Sequence, residues 1–389
     1  MFILARKIST FRRVAAERGL VGLLGAAEHH ANRVPAYRRL RHLARIAAVG
    51  PNALSARWEH GSPRILLKYF GGIGDELLMT GVLRELRVRD YPDVWMLSEF
   101  TDLWRHNRDP DRVLSWDRRY DPWIGRFGWD VVRPWYSRYL PESDRDSPPP
   151  QHILTTMCQR VGIVGPIGRR PYLTLTDEER ATGERVPNQI VIQSAGLDAH
   201  FAMNTKQWYP ERYQEVVSAL KGDLNFVQVG SRLDPPLDGA LDLRGKTSIR
   251  ETAAIMSRSL AFVGQVGMPM HLARAVDCPA VIVYGGREHP SQTGYSCNEN
   301  VYSPVHCSPC WHLNTCEYSM TCMRDVSAAD VIRGVERQVA RAGQPLAVDT
   351  DVVTTDGVPM RTTPDGRTML TITDVFGDHR ELEAKFASY

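Results

Sequence analysis

The sequence predicts an α/β protein with two doubly wound lobes that face a central cleft. Short apolar segments alternate with helix-periodic segments across residues 64–170, and the same alternation recurs across residues 188–343. A stretch rich in proline and arginine, from Arg169 to Pro187, joins the two halves. Such alternation is typical of parallel sheets with crossover helices, whose ligands bind at the carboxyl ends of the strands.

The first lobe is predicted to open with an apolar strand over 64–70, followed by a glycine-rich turn and a helix over 76–90. Its other predicted elements are strands over 94–97, 113–116 and 129–132 and a helix over 153–161. The second lobe repeats this logic with strands over 190–193, 226–229, 260–264 and 280–284 and helices over 211–220, 249–257 and 270–276. Two Rossmann-like lobes joined in this way describe a GT-B architecture.

Both ends of the chain differ from the lobes. Residues 1–50 show helical spacing with a break around Asn32–Pro35, which predicts a basic extension of two helices, and 51–63 is predicted as a linker. Residues 344–389 are rich in Thr, Asp and Val, and Thr363–Gly366 is a turn signal between two β-type runs. This tail is therefore predicted to be a small hairpin without chemistry.

The charge is unevenly distributed. Residues 1–50 carry ten Lys or Arg against Glu17 and Glu28, so this segment is +8 in a chain of net charge +3. A basic leader predicts contact with an anionic surface such as a membrane or acidic glycolipid, or else a solvated helical extension that packs on the body or another subunit. Nucleic acid fits less well, because aromatic residues are not interleaved with the basic ones.

The composition indicates a protein of the cytoplasm. Apolar residues make up 43% and charged residues 24%, and no run approaches the ~20 apolar residues that a membrane span requires. The nine-residue apolar run Gly19–Ala27 is followed by charged residues rather than by a cleavage site, which argues against a secretory signal. If the leader binds a membrane, we expect a peripheral position on its inner face.

The segment Gly71-Gly72-Ile73-Gly74-Asp75 is the first candidate site. Glycines after a strand let a ligand approach the backbone, and the helix that follows favours anions at its N-terminus. The third glycine of a dinucleotide fingerprint is replaced by Leu77, so an oxidoreductase is disfavoured. Asp75 is either a general base for an acceptor hydroxyl or a helix N-cap, and the cap is the commoner role for this residue type at a helix start.

The sequence over 70–80, FGGIGDELLMT, together with LREL over 83–86, resembles the opening of the family-9 glycosyltransferases, the ADP-heptose:lipopolysaccharide heptosyltransferases. The resemblance extends over about residues 64–335. It implies that Asp75 is the catalytic base and that Gly72 and Gly74 form a backbone loop beside the acceptor.

Two second-lobe segments extend the resemblance to the donor side. TKQWYPERY over 205–213 is similar to a family segment whose lysine contacts the donor phosphates, which implies donor binding by Thr205 and Lys206. A fixed positive charge there would stabilise a departing diphosphate. LRGKTSI over 243–249 is similar to the family's turn before a helix, which implies a donor contact at Thr247 or, from its position alone, a helix cap.

A third segment parallels the family's Val-Gly-x-Asp-Ser-Gly-Pro-Met-His-Leu-Ala. In this chain it reads VGQVGMPMHLA over 263–273, and the resemblance implies diphosphate binding at a helix N-terminus by Gly267, Met268, Met270 and His271. His271 would donate a hydrogen bond to a phosphate oxygen, or else it is buried and its ring is hydrogen-bonded within the protein. Val266 replaces the acid that in the family holds donor-sugar hydroxyls, so the identity of the sugar is open.

Cysteines form the last candidate site. The fourth match to the family is VYGGRE over 283–288 together with the cysteine segment that follows it, since family members often carry a similar Cys-x-Pro-Cys segment and a closing Cys-Met. That segment holds four of the seven cysteines: Cys307, Cys310, Cys316 and Cys322. Four thiolates would close around tetrahedral zinc or iron in a structural role, since no coordination position stays open for catalysis. The alternative is a reduced, partly buried thiol cluster in a reducing compartment.

The resemblance implies an inverting glycosyltransferase that moves a sugar, heptose first, from a nucleotide donor such as ADP-heptose to an acceptor hydroxyl. Acceptors would be glycans, glycolipids, proteins or small molecules. Catalysis is expected without a divalent metal, because Lys206 and a helix N-terminus supply positive charge to the departing diphosphate. The alternative is a non-catalytic nucleotide-sugar or glycan binding protein on the same scaffold. The absence of the family's acid at Val266 favours this alternative, and the retained Asp75 and Lys206 oppose it.

Overall fold

A computed structural model describes residues 35–69, 71–116, 121–129, 131–199, 202–353, 360–362 and 368–370. The helices in these ranges are α1 Pro35–His60, α2 Ile73–Arg87, α3 Asp121–Phe127, α4 Ile153–Arg160, α5 Asp177–Ala181, α6 Pro210–Leu220, α7 Ile249–Ser257, α8 Met268–Ala275, α9 Pro290–Thr293, α10 Thr321–Asp325 and α11 Ala328–Ala340. The strands are β1 Ile65–Lys68, β2 Val94–Ser98, β3 Arg112–Ser115, β4 Val131–Val132, β5 Tyr139–Leu140, β6 Arg145–Asp146, β7 Gly165–Gly168, β8 Gln189–Ile192, β9 Asn225–Gln228, β10 Ala240–Asp242, β11 Ala261–Gln265, β12 Ala280–Tyr284, β13 Glu299–Tyr302, β14 Thr350–Val353, β15 Met360–Thr362 and β16 Thr368–Leu370.

Each lobe has a parallel sheet with a reversal of strand order. In the first lobe the order is β3-β2-β1-β4, and all pairs are parallel. In the second lobe the order is β10-β9-β8-β11-β12-β13, again all parallel. The reversals lie between β1 and β4 and between β8 and β11. In doubly wound sheets the ligand crevice opens at the carboxyl ends of the strands that flank such a reversal.

The two lobes share one apolar core. Its buried residues come from β1 and α2 of the first lobe and from α7, α8 and β11 of the second. Helices α2 and α8 contact each other so closely that a Cβ on Gly74 would lie 3.1 Å from Cα of Met268. A side chain at position 74 would therefore push the two helices apart by a few tenths of an ångström.

A buried arginine also ties the lobes together. Arg250, in the first turn of α7, is 5% exposed and binds both carboxylate oxygens of Glu179 at 2.6 and 2.5 Å. Its guanidinium also donates to the carbonyl of Thr174 at 2.7 Å and to that of Asp102 in the first lobe at 3.1 Å. The connecting segment, α7 and the first lobe are thus held by one side chain.

The tail begins within the body of the protein. Strand β14 pairs antiparallel with β7, and the hydroxyl of Thr155 in α4 donates to Asp351 at 2.5 Å. Asp349 accepts from the backbone N–H of Ser296 at 2.9 Å. Strands β15 and β16 pair antiparallel, while the predicted turn between them, 363–366, lies outside the described residues.

The described residues 35–63 and 121–129 form a unit of their own, distinct from the unit that holds both lobes. In the smaller unit, Trp123 donates from its indole N–H to the carbonyl of Ile46 at 3.0 Å. Helix α1 begins at Pro35, right after the predicted break, and it runs on through Pro51 to His60. The predicted linker over 51–63 is therefore wrong for most of its length. The buried face of α1, which includes Val49 and Ala53, continues across the proline and offsets its missing N–H.

Most predicted elements of the lobes are confirmed within one to three residues at each end. The helix over 249–257 and the strand over 280–284 are found as predicted. The helix predicted over 76–90 begins three residues earlier, at Ile73, so Asp75 lies inside its first turn. The predictions for residues 1–34 lie outside the described residues. Among the described helices, none is long and apolar enough to span a membrane.

Candidate active site

The first half of the site lies where the strand order of the first sheet reverses. The chain leaves β1 through Gly71 and Gly72 into α2, and it leaves β4 towards Tyr136. Because both strands end at the same edge, the two segments meet there. Asp75 and Tyr136 are brought together by the fold, although 61 positions separate them in the chain.

Two donors fix the carboxylate of Asp75. The backbone N–H of Gly72 donates to Oδ2 at 3.0 Å, and the hydroxyl of Tyr136 donates to Oδ1 at 2.8 Å. Gly72 is the N-cap residue of α2, so Asp75 is at the third helical position rather than at the cap itself. Its carboxylate accepts from the N–H of the N-cap residue and so makes a capping contact, while the role of general base stays a prediction.

The environment of Asp75 is unusual for a carboxylate. Burial raises its pKa, against the lowering effect of the hydrogen bonds from Tyr136 and Gly72 and of the charge of Lys206. The apolar wall includes Tyr69, which is 6% exposed and whose ring centroid lies 4.9 Å from that of Trp135. A raised pKa makes a carboxylate a stronger proton acceptor, as a general base requires.

Gly71 provides the space for this carboxylate. A Cβ at position 71 would lie 2.5 Å from Oδ2 of Asp75 and 2.7 Å from Cε1 of Tyr69, both far inside contact distance. At Gly72 the nearest atom would be Oδ2 of Asp75 at 3.9 Å, which is an ordinary contact. Of the two glycines, Gly71 is thus the one whose missing side chain the site needs.

The second half of the site is a chain of four charges. Lys206, at the end of a short 3-10 turn after β8, lies 2.6 Å from Oε1 of Glu288. Arg287 contacts the same oxygen at 2.6 Å and reaches Asp146 of the first lobe at 2.5 Å. The guanidinium of Arg287 also lies 4.7 Å from the ring centroid of Trp311. Lys206 is thus paired with Glu288, and its charge lowers the pKa of Asp75 from the opposite lobe.

The predicted diphosphate site at α8 is only partly as expected. Gly267 is the N-cap of α8 and Met268 its first residue, and both lie at the carboxyl end of β11. Met270 is fully buried, its sulfur accepts from the hydroxyl of Tyr284 at 3.3 Å, and its N–H donates to Gly267. Pro269 has no N–H. Gly267 and Met268 are thus the first-turn positions that remain for a phosphate.

His271 is buried rather than exposed in the cleft. It is 6% exposed, and Nδ1 lies 2.7 Å from the hydroxyl of Tyr295. Burial lowers its pKa to about 3, with a further contribution from the nearby His152, so the ring is neutral at neutral pH. If the Tyr295 hydroxyl donates to Nδ1, the ring proton is on Nε2, which is then the nitrogen that can donate to a phosphate.

The two predicted threonines make structural contacts. Thr205 is 3% exposed, and its hydroxyl lies 2.6 Å from the carbonyl oxygen of His312 and 2.9 Å from that of Leu313. Thr247 comes just before Ser248, the N-cap of α7, and its hydroxyl is 3.0 Å from that of Thr252. A donor contact by either side chain stays a prediction.

The four cysteines do not form a metal centre in this arrangement. Among the described residues, no group of three or more His, Cys, Asp or Glu side chains is placed to hold an ion. Cys316 is exposed and its sulfur accepts from the N–H of Met320 at 3.4 Å, whereas Cys322 is buried. The cysteines are nevertheless neighbours, since Cys322 and Cys316 both raise the pKa of Cys307, after the effect of burial.

Sequence reasoning assigned no role to three of the groups that complete the site. Arg287 and Glu288 lie in a segment that resembles the family, but neither they nor Tyr136 were singled out as functional residues. The one usable signal was position: Tyr136 follows a short strand, and Glu288 follows β12, where side chains of a parallel sheet converge on the ligand crevice.

Comparisons with known proteins agree with the motifs of the second lobe. The family model "Glycosyltransferase family 9 (heptosyltransferase)" matches residues 190–320, the part of the chain that holds Lys206, His271 and the first three cysteines of the cluster. No curated protein sequence matches the chain significantly.

Solved structures resemble both lobes. A family-9 glycosyltransferase from Veillonella parvula has a TM-score of 0.54 at 13% identity over 72% of this chain and 98% of its own. The E. coli ADP-heptose lps heptosyltransferase II has a TM-score of 0.53 at 14% identity over 71% of this chain and 98% of its own. The iron-containing dodecameric glycosyltransferase TibC from enterotoxigenic E. coli has a TM-score of 0.54 at 17% identity over 72% of this chain and 79% of its own. The chain thus has the fold of GT-B-type glycosyltransferases, and its residues 190–320 carry the sequence pattern of glycosyltransferase family 9 that the motifs predicted.

Proposed function

We propose that this protein is an inverting glycosyltransferase that moves a sugar, heptose first, from a nucleoside-diphosphate donor to an acceptor hydroxyl. The observation that carries the proposal is the carboxylate of Asp75, held by Gly72 and Tyr136 at the strand reversal and facing the charge of Lys206. A base in one lobe and a cation in the other are the two groups that such a displacement needs. The neighbours named ADP-heptose lps heptosyltransferase II and TibC in complex with ADP-D-beta-D-heptose support the choice of donor.

In the proposed reaction, Asp75 accepts the proton of the acceptor hydroxyl while the acceptor oxygen attacks the anomeric carbon from the face opposite the diphosphate. The sugar–phosphate bond breaks, and the developing charge is stabilised by Lys206 and by the first turn of α8 at Gly267 and Met268. Direct displacement with one base inverts the anomeric centre. These fixed groups supply the positive charge, so we propose that transfer proceeds without a divalent metal and continues in the presence of EDTA.

Asp75→Asn tests the proposal. The variant keeps the size of the side chain and a carbonyl oxygen for Tyr136, but it cannot accept a proton. We expect transfer to fall by about 10²–10⁴-fold, the usual contribution of a general base, while donor affinity changes little. Asp93→Asn is the matched control, since Asp93 is exposed and its left-handed backbone, φ 54°, suits asparagine.

A non-catalytic nucleotide-sugar or glycan binding protein is the second candidate. Val266, which lines the pocket beside Lys206, favours this second candidate. The resemblance leads one to expect a carboxylate at this position to bind the hydroxyls of the donor sugar, and valine cannot do so. Nucleotide-sugar binding without transfer by the wild-type protein, on a panel of glycan, glycolipid, peptide and small-molecule acceptors, would support this candidate. Transfer that survives Asp75→Asn would contradict the role given to Asp75.

We also propose that helix α1 rests on an anionic membrane. Its exposed apolar residues Leu40, Leu43, Leu54 and Trp58 share one face, and Trp58 is 91% exposed. The buried residues Val49 and Ala53 lie on the opposite face, and α1 carries five arginines against one glutamate. An apolar stripe flanked by positive charge is typical of helices that lie in the headgroup region of a bilayer.

Vesicle co-sedimentation tests this membrane contact. We expect binding to vesicles that contain phosphatidylglycerol, little binding to neutral phosphatidylcholine vesicles, and loss of binding in Trp58→Ser. Leu233→Ser is the control, because Leu233 is an exposed apolar residue, 63%, of the second lobe. If Trp58→Ser instead alters the sedimentation coefficient in the absence of vesicles, the face binds a second copy of the chain and the membrane proposal is wrong.

A structural metal at the four cysteines is supported by their C-x2-C-x5-C-x5-C spacing and by the iron named for TibC, and not by the arrangement of the thiols described above. No step of the reaction depends on it. Elemental analysis of the purified protein shows whether a metal is bound. The metal content of Cys316→Ser is compared with that of the control Cys278→Ser, whose cysteine is buried outside the cluster.

A further inference from the structure

A small pocket beside Lys206 combines apolar and charged walls. Val266, Val283 and Met323 form its apolar part, and Lys206, Arg287 and Glu288 form its charged part. Val266 lies where the sequence comparison leads one to expect an acid. The carboxylate that this pocket does contain is therefore Glu288, which comes from the end of the neighbouring strand β12.

Glu288 is buried and strongly held. It is 4% exposed, and its Oε1 accepts from Nζ of Lys206 and from Arg287, both at 2.6 Å. Thr293 supplies a further hydrogen bond. Burial acts to raise the pKa of Glu288, but Lys206 and Arg287 outweigh it and bring the pKa to about 2. The carboxylate is thus ionised at any pH at which the protein works.

This charge balance changes when an anion enters. Lys206 and Arg287 are matched by Glu288 and Asp146, so the four side chains together carry no net charge to attract a diphosphate. A phosphate that binds Lys206 competes with Glu288 for the hydrogen-bond donors of its ammonium group. When Lys206 shifts towards the phosphate, the buried carboxylate loses a charged donor, and the diphosphate, whose ionised oxygens only accept hydrogen bonds, cannot replace it.

We propose that Glu288 binds hydroxyl groups of the donor sugar, which replace Lys206 as donors to its carboxylate when Lys206 moves to the diphosphate. Glu288 is then a specificity-determining residue that makes the site prefer a nucleotide sugar over the nucleotide. The inference rests on the proposed function, because it assumes that a nucleotide sugar occupies this cleft. It also explains how a pocket with Val266 in its wall can hold a polyhydroxylated ligand.

Titration calorimetry with ADP and with ADP-heptose tests the inference on Glu288→Gln. Because Lys206 is released from its ion pair, we expect ADP to bind Glu288→Gln more tightly than it binds the wild type. The preference for ADP-heptose over ADP should fall by about tenfold, the value of one hydrogen bond to a charged group. Glu299→Gln is the control, since Glu299 also pairs with two arginines but lies outside the pocket.

Glu288→Asp keeps the negative charge but moves the carboxylate back from the pocket by one methylene group. This variant tests the inference if Glu288→Gln does not fold. We expect Glu288→Asp to bind ADP with nearly wild-type affinity and to lose preference for ADP-heptose. If a folded variant loses affinity for both ligands by the same factor, Glu288 only orients Lys206 and the inference is wrong. If the wild-type protein binds neither ligand, the proposed donor fails first, and that result is distinct from an unchanged preference.

Discussion

The hydroxyl of Tyr136 donates to Oδ1 of Asp75 at 2.8 Å, while the backbone of Gly72 holds the other oxygen of the same carboxylate. Two strand ends that are far apart in the chain thus orient one side chain. Since the hydrogen bond from Tyr136 lowers the pKa of Asp75 against the effect of burial, the tyrosine sets both the direction and the basicity of the carboxylate.

Tyr136→Phe removes this hydrogen bond without changing the ring. We expect the pKa of Asp75 to rise further, because burial is then opposed by fewer contacts. The ionised, active form would be lost at a higher pH, so the acid limb of the kcat/KM profile moves upward and the rate at pH 5 falls several-fold. The measurement is a pH–rate profile with Tyr172→Phe as the control. An unchanged acid limb would show that Asp75 is not the titrating base.

Gly71→Ala places a methyl group against Asp75. The new Cβ would lie 2.5 Å from Oδ2 of that carboxylate, so the side chain or the loop must move. A displacement of about 1 Å at a reacting group costs on the order of a hundredfold in rate, and we expect a loss of that size in kcat. Gly72→Ala is the matched control, because its Cβ meets nothing closer than 3.9 Å. Equal losses in both variants would contradict this explanation.

The buried histidines predict a pH dependence of stability. Burial lowers the pKa of both His152 and His271 to about 3. Their unfolded value is about 6.5, so the unfolded state binds more protons below that pH, and stability is present above pH 6.5 and lost as the pH falls towards 3. Each ring should cost about 1.4 kcal/mol of unfolding free energy per pH unit below 6.5. Denaturant unfolding between pH 7 and 5 measures this loss.

His271→Gln should flatten that dependence. The variant is expected to be less stable at pH 7, because the contact with Tyr295 is changed, but to lose less stability between pH 6.5 and 5. His306→Gln, at an exposed position, should leave the slope as in the wild type. A wild-type slope in His271→Gln would show that this ring does not stay neutral in the folded protein.

Arg250→Met is expected to destabilise the protein by about 3–5 kcal/mol, the cost of breaking a buried ion pair from one side. Arg250 serves Glu179 and two carbonyl groups from different parts of the chain. The exposed pair of Arg337 with Glu299 provides the comparison, and Arg337→Met should cost about 1 kcal/mol or less. Chemical denaturation measures the unfolding free energy of both variants. Similar losses in the two would contradict the view that Arg250 holds the connecting segment, α7 and the first lobe together.

Local patterns were enough to predict the buried strands, because each carries an apolar run of its own, but the edge strands β10 and β13 of the second sheet were not predicted. The helix α2 was placed three residues too late, since Ile73 and Gly74 read as a loop until the packing of α2 on α8 is known. The position of Asp75 followed from the glycine motif. Its contact with Tyr136 and the pairing of Lys206 with Glu288 did not, because both join segments that only the tertiary fold brings together.

Strand β14 has a consequence for synthesis on the ribosome. Its partner β7 and the helix α4 that it covers are translated long before it, as is the whole second lobe. Until residue 353 leaves the exit tunnel, β7 has an open edge that other nascent chains can join. The nascent first lobe thus keeps an unpaired strand edge while the second lobe is made, and the pairing of β14 with β7 ends that period.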